Sequence, residues 1–270
     1  MAKDIILNNG YKIPDIGYGT WLIRNEDAKE CVLNALKVGY RHIDSAQAYG
    51  NEEGVGKGIK ESGLPREEIY ITSKVQAEIK DYKKAKDSID ESLKKLDSGY
   101  IDLMLIHCPT PWREYSYEVG YRYEKENIEV YKAMEEAVDS GKIRSIGVSN
   151  FNIDDLKNIL NNCRIKPVVN QIQIHIGCTN IELIDFCESV GVKVEAYSPI
   201  GHGRILENKM INDIARKYNV SVPQLCIKYT LQLGTITLPK AKSYNHMIEN
   251  LKLDFEISSD DMETLKKYSL

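Results

Sequence analysis

Three polar side chains stand where short apolar runs end, and a fourth follows close behind one of them. Asp44 closes the run in "HIDSA", Tyr49 follows five residues later in "YRHIDSAQAYGNE", Lys74 ends "YITSK", and His107 ends "IDLMLIH". These residue types can together deliver a proton. An ammonium beside a phenol favours the phenolate, so Lys74 would pull a tyrosine pKa down from about 10, and an adjacent Asp44 carboxylate would keep that ammonium charged and oriented. An imidazole such as His107 can hydrogen-bond a carbonyl oxygen and hold it where Tyr49 can protonate it. Each residue also has an ordinary structural reading. Tyrosine occurs 17 times in the chain, His107 could be a hydrogen-bonded rim histidine, and a buried Asp44–Lys74 pair would be weak evidence of stability for its own sake. The combination points to chemistry, and what it lacks is an electron source.

A site of this kind needs strands to bring its parts together. "IILNNGYKIP" places two short apolar runs around Asn9-Gly10, the dipeptide of a type I′ hairpin. Eight further runs follow: "DIGYGT", "HIDSA", "IYITSK", "IDLMLIH", "IRSIGVSN", "KPVVNQ", "VKVEAYS" and "TITLPK". Between them lie helical patterns such as "DAKECVLNALKVG", "YKKAKDSIDESLKKL", "EVYKAMEEAVDSG", "NIDDLKNILNN" and "NIELIDFCESVG", several with Asp or Asn at the start and Gly near the end, as caps require. Eight units in 270 residues allow roughly 34 residues each, which suits an α/β fold of the (β/α)8 TIM-barrel type, with a doubly wound open sheet as the main rival. "NKMINDIARKYN" and "VPQLCIKYTLQLG" add a helix before the eighth run, and "SSDDMETLKKYSL" supplies a last one. With no linker, repeat or change of composition, residues 1–270 are expected to form one domain.

In such a barrel the polar residues at the C-terminal strand ends form one list: Asp44, Lys74, His107, Ser149-Asn150, Asn170-Gln171, Tyr197-Ser198 and Lys240. The formal charge is −4, without a basic block to neutralise phosphates, so nucleic acid is not an expected partner. No stretch approaches a membrane span, and Asn and Gly break the first apolar run before a signal-peptide core could form, so a cytoplasmic protein is expected. Cys31, Cys108, Cys163, Cys178, Cys187 and Cys226 lack metal-ligand spacing; they are expected to be reduced and mostly structural, with no metal.

Over nearly its whole length the chain resembles the aldo-keto reductase family. The matching stretches, in order, are "LNNGYKIPDIGYGTW", "GYRHIDSAQAYGNEEGVGKGI", "YITSK", "IDLMLIHCPTP", "GKIRSIGVSNF", "VVNQIQIH", "AYSPIG" and "LPKAKSYNHMIEN". The resemblance implies a barrel that transfers hydride between a nicotinamide cofactor and a carbonyl or alcohol, with a catalytic tetrad of Asp44, Tyr49, Lys74 and His107. It implies that Ser149, Asn150 and Gln171 hold the nicotinamide carboxamide and that Tyr197 stacks on the ring. It makes Thr20, Ser198 and Ile200 further cofactor contacts, Glu249 and Asn250 the adenine-end residues, and Trp21 a wall of the substrate pocket. Gly54, Gly56 and Gly58 of "GVGKGI" do not match G-x-G-x-x-G and are expected in a helix behind the site.

The chain departs from the family pattern in places. Lys240 suits the 2′-phosphate of NADPH, but Ala241 stands for the usual serine and His246 for the usual arginine. A histidine lacks the guanidinium fork that clasps phosphate, so NADPH is expected with a weakened preference over NADH, Lys242 compensating. Cys108 replaces a frequent aromatic and is expected to be a small buried thiol. The following loop, long for a compact member, carries Trp112, Tyr115, Tyr117, Tyr121 and Tyr123; it is either a substrate-selecting lid, with Trp112 facing substrate, or a self-packed loop or dimer contact. A short C-terminal tail should leave one pocket wall open to small aldehydes, ketones or keto sugars. A monomer or weak dimer is expected. Two other functions compete: a Schiff-base aldolase working through Lys74, against which Asp44 argues, and a non-enzymatic cofactor-binding regulator on the same fold.

Overall fold

A computed structural model of the chain describes residues 3–115 and 122–269. Strands β1 (Asp4–Ile6) and β2 (Lys12–Pro14) form the N-terminal antiparallel hairpin. Its turn differs from expectation. A type I′ turn needs positive φ at both central residues, whereas here Gly10 alone has it (φ 85°). Gly10 N donates to Leu7 O and Leu7 N to Tyr11 O, the pattern of a four-residue turn closed by a glycine bulge. The extra residue lets Asn8 donate to Pro167 O and Gly191 O, and Asn9 to the Ser145 hydroxyl, pinning the hairpin under the barrel.

All eight expected strands form: β3 (Tyr18–Gly19), β4 (His42–Asp44), β5 (Tyr70–Val75), β6 (Ile101–Ile106), β7 (Ile143–Ser149), β8 (Val169–Gln173), β9 (Lys193–Tyr197) and β10 (Ile236–Leu238). They pair in sequence order, all parallel. Gly17 N donates to Thr237 O and Gly19 N to Pro239 O, joining the first strand to the last, so the sheet closes and the open-sheet rival is excluded. Leu7 and Ile13 of the hairpin pack with Leu103, Leu105, Val169 and Ile236 to plug the barrel floor.

Helices α1 (Asn25–Val38), α2 (Glu52–Glu61), α3 (Tyr82–Leu96), α4 (Glu124–Asp139), α5 (Ile153–Asn162) and α6 (Ile181–Ser189) follow successive strands. The Asn residues at the start of two patterns do cap: Asn180 accepts from Leu183 N, and Asn152 with Asp155 makes a reciprocal capping box, whereas α1 starts at Asn25, ahead of Asp27, without a side-chain cap. Helices α7 (Lys209–Lys217) and α8 (Val222–Gln232) precede β10, and with α10 (Ser259–Lys267) they enclose a second apolar cluster around Ile211, Leu225, Tyr229 and Leu265. One helix, α9 (Tyr244–Leu251), was not anticipated from the sequence; Ser243 caps it by accepting from His246 N.

The glycines of "GVGKGI" lie in α2, as expected. They are there for proximity. A Cβ on Gly54 would collide with the Asn25 carbonyl of α1, and one on Gly56 with the Leu96 carbonyl of α3. Because these obstacles are backbone, relief requires moving a helix. Gly56→Ala should lower unfolding free energy by about 2 kcal/mol through overpacking, while Lys57→Ala on the exposed face should stay within about 0.5 kcal/mol. Urea denaturation of both variants checks this, and equal losses would contradict the packing account.

Candidate active site

Lys74 sits in the upper part of β5, wholly buried. Its ammonium donates to both carboxylate oxygens of Asp44 (2.8 Å each) and to Ser45 O (2.8 Å), and it reaches the Tyr49 hydroxyl at 3.4 Å. Burial by itself would lower the lysine pKa; the Asp44 carboxylate, by its charge and its hydrogen bonds, leads the effects that reverse this and leave it above 10.5. A lysine kept charged is no amine nucleophile, which removes the basis of the aldolase reading.

Tyr49 ends a short 3-10 turn, Gln47–Tyr49, that Gly50 closes with a positive φ of 65°. Two side chains that the sequence did not single out hold this turn. Gln47 donates to Ser88 O and the Ser92 hydroxyl of α3 and accepts from Gln76 N just beyond β5. Asn51, fully buried, donates to Thr20 O and Ile23 O and accepts from the Ser45 hydroxyl, tying the loops after β3 and β4 together. The expectation that Lys74 would bring the phenol below its ordinary value is not met. Burial raises Tyr49 above 10.0, Lys74 offsets only part of this, and Asp44 works against the offset. Tyr49 is therefore a protonated phenol at neutral pH, the form that can give a proton away.

The His107 ring lies edge-on to Tyr49 at 5.6 Å between centroids. Burial first, then Lys74, holds its pKa well below 6.5, so the imidazole is neutral and still able to donate one hydrogen bond. Trp112 packs edge-on against its other side at 5.2 Å, and Tyr115 against Trp112 at 5.7 Å. Tyr117 and Tyr121 lie outside the described residues. Cys108 is buried and its thiol is pushed up to about 11, mainly by burial, in keeping with an inert packing role. Trp21, 43% exposed, lies edge-on to His202 at 5.4 Å, so the loops after β3 and β9 meet beside the site.

A polar cradle adjoins this centre. Ser149, the last residue of β7, donates to Gln171 O; Asn150, left-handed at φ 62°, donates to His107 O and the Ser149 hydroxyl; Tyr197 at the end of β9 donates to Asn150 Oδ1. Gln171 Nε2 donates to Asp44 Oδ2 (2.9 Å) and to Glu195 Oε2 (2.6 Å), so its two amide hydrogens point into the barrel and Oε1 remains as acceptor. Thr20 donates its hydroxyl to Asp44 O, Ser198 is left-handed at φ 53°, and Ile200 packs on the second apolar cluster.

Further out, Lys240, Lys242 and His246 are exposed around the start of α9, and Lys242 lies near enough to Lys240 to lower its pKa after burial has done so. Of the two residues expected at the adenine end, Glu249 is exposed and paired with Lys252, whereas Asn250 is buried with its side chain on the Tyr40 hydroxyl. Glu195 and His42, buried beneath the tetrad, also escaped the sequence analysis; a carboxylate and an imidazole at inward positions of two strands were the available signal.

A closed parallel barrel with an ammonium joining a carboxylate to a protonated phenol, beside a neutral imidazole, defines an oxidoreductase-type site for protonating a carbonyl oxygen. The family profile described as "Aldo/keto reductase family" matches residues 15–269. Glyoxal reductase of Bacillus subtilis is 41% identical over 266 residues, covering 97% of this chain and 92% of that protein. Among solved structures, an aldo/keto reductase from Brucella melitensis superposes with a TM-score of 0.91 at 36% identity, covering 99% of both chains. A Bombyx mori aldo-keto reductase in complex with NADP gives 0.89 at 32% identity, covering 100% of this chain and 93% of that one. The chain belongs to the aldo/keto reductase family: it is an oxidoreductase that reduces carbonyl groups with a nicotinamide cofactor.

Removing the carboxylate tests the electrostatic account. Asp44→Asn leaves the Lys74 charge buried with carbonyl partners only, and unfolding free energy should fall by about 3 kcal/mol or more. Denaturant titration at neutral pH measures it, and a loss below about 1 kcal/mol would mean that the pair is not what holds this lysine.

Proposed function

We propose that Asp44, Tyr49, Lys74 and His107 are the catalytic residues, and that the enzyme reduces small aldehydes, α-keto compounds and keto sugars with NADPH preferred over NADH. The observation that carries this reading is the single ammonium that touches both the Asp44 carboxylate and the Tyr49 hydroxyl. The nicotinamide, when bound, supplies the hydride. His107 holds the carbonyl oxygen by a neutral hydrogen bond, and Tyr49 transfers its proton to the alkoxide that develops there. Lys74 then stabilises the phenolate left behind, and Asp44 keeps Lys74 charged and in place.

The cradle residues fit a carboxamide in kind. Gln171 Oε1 can accept from its NH2 end, and Ser149 and Asn150 offer further polar groups at the same level. Asn150 is fully bonded within the protein, so taking a carboxamide means exchanging a partner, and the half-buried Tyr197 hydroxyl is the one at the rim. The freed Tyr197 ring can then stack on the nicotinamide. Thr20, Ser198 and Ile200 complete the cofactor contacts in this reading. Exposed Lys240 and Lys242, at the start of α9, favour a 2′-phosphate, with His246 a weaker contributor than arginine would be. Glu249 serves the adenine end; Asn250, turned inward, does so only indirectly.

Trp21 and Trp112, both partly exposed beside the catalytic group, form the walls of the substrate pocket. The name of the Bacillus subtilis relative makes glyoxal-like dicarbonyls the first class to assay. A cytoplasmic location and a monomer or weak dimer complete the proposal. Among the described residues no helix is long and apolar enough to cross a membrane.

Two measurements test the proposal. Tyr49→Phe should lose on the order of a hundred-fold or more in kcat, the usual worth of a proton donor, while NADPH affinity by fluorescence titration stays close to wild type. Retained turnover would sink the mechanism, and tight NADPH binding by a wild-type protein that reduces no carbonyl would favour the regulator. Lys240→Met should raise KM for NADPH by about ten-fold and leave that for NADH nearly alone; equal effects would remove Lys240 from phosphate recognition.

A further inference from the structure

Beneath the tetrad lies a carboxyl group for which the mechanism above has no use. Glu195 points into the barrel from β9, fully buried. Its Oε2 accepts from Gln171 Nε2 at 2.6 Å, and the same nitrogen donates to Asp44 Oδ2 at 2.9 Å, so one amide nitrogen bridges two carboxyl groups. Among the described residues its Oε1 has no hydrogen-bond partner; it faces His42 Nδ1, 3.8 Å away and likewise unpartnered there. His42 Nε2 is engaged with the Thr72 hydroxyl at 2.9 Å.

The remaining surroundings decide the charge. The titratable groups facing Glu195 are Asp44 and His42 on β4, Lys74 and Tyr70 on β5, and Tyr49 above them; Gln171 on β8 and Ile236 on β10 bring no charge. Of these, Lys74 alone is a cation, and Asp44 already takes two of its contacts. His42 cannot serve as a second cation, because burial and then Lys74 lower it to about 3. Two carboxyl groups sharing one cation in a dry interior do not both ionise. Because Oε2 accepts from Gln171, a proton on Glu195 belongs on Oε1, the oxygen on the side of the unpartnered His42 nitrogen, which at 3.8 Å is beyond a hydrogen bond but complementary to a donor.

We infer that Glu195 is a positioning residue that holds a proton beneath the active site: un-ionised, it fixes the Gln171 amide toward Asp44 and sets the alkaline limit of carbonyl reduction. The inference rests on the assignment of Tyr49 as the proton donor. When Glu195 loses its proton, a second negative charge appears beside Lys74 and Asp44. That charge raises the Tyr49 phenol further and makes it a weaker acid. Burial, then Asp44, push Glu195 up to about 8, where this change falls.

Glu195→Gln copies the protonated form, with its amide oxygen in place of Oε2 and its NH2 in place of the Oε1 hydroxyl, and it cannot ionise. The kcat profile for reduction, measured from about pH 6 to about pH 10, should show an alkaline decline in wild type that moves upward by about 1 pH unit or more in E195Q. Glu195→Leu, which leaves Gln171 without this partner, should raise KM for NADPH several-fold, and E195Q should restore it. Two readouts do not depend on turnover. Infrared spectra should contain a buried carboxylic-acid band that titrates in wild type and is missing in E195Q. A carboxyl raised in the folded state gives stability that is full below 4.5 and lost as pH rises to about 8, so E195Q should gain on wild type across that window. Superimposable pH profiles, or no titrating band, overturn the inference. If instead Tyr49→Phe retains turnover, the assignment of the acid falls while the band still reports on Glu195.

Discussion

A full positive charge in the dry interior of a barrel is the constraint on which this structure turns. Lys74 is unexposed and would shed its proton if burial acted alone; three oxygens at 2.8 Å keep it charged. Those oxygens belong to Asp44 and Ser45, one strand away, so the ammonium is held only if β4 and β5 pair in the observed register. Register in turn depends on the closed sheet, and closure depends on the few hydrogen bonds between the loop before β3 and β10. A short seam of backbone bonds thus underwrites the ion pair one and two strands away.

The polar groups around Lys74 fall into two layers. Above are the groups proposed to meet substrate: the protonated Tyr49 and the neutral His107, each kept in that state chiefly by burial. Below are Asp44, Gln171, Glu195 and His42, closed off from water, where one ammonium and two carboxyl groups must reach a tolerable charge. Gln171 belongs to both layers, with its hydrogens directed downward and its oxygen the group proposed to meet the cofactor. In that proposal cofactor recognition and proton chemistry share a side chain, and the charge of the lower layer is felt in the upper one.

The loops divide their work in a similar way. The Tyr49 turn is tied down by Gln47 and Asn51, whose hydrogen bonds reach three other segments, so the proposed proton donor, outside any strand, is still held in place. Trp112 and Trp21 are less enclosed and make edge contacts with His107 and His202. A firm donor under adaptable walls suits an enzyme in which the proton must arrive at one atom while the substrate's remaining groups vary.

Much of this was legible in the sequence. Apolar runs with polar ends located all eight barrel strands and picked out Asp44, Lys74 and His107, because parallel strands buried on both faces leave mainly their tips for polar groups; Tyr49, beyond a tip, joined them through its nearness to Asp44 and the family resemblance. Amphipathic patterns located most helices, several with their caps; α9 was missed because, at eight residues, it is too short for its apolar period to stand out. Other features depended on tertiary structure. Asn9-Gly10 permits more than one turn, and the contacts of Asn8 and Asn9 under the barrel selected the bulged form. The direction of the Tyr49 pKa was misjudged, since proximity to Lys74 can be read from spacing but the extent of burial cannot. Glu195 and His42 are 153 residues apart in number and adjacent in space. The sequence determined which chemical groups are present and which strands carry them; the closed barrel decided which of them meet away from water, and so which hold their protons.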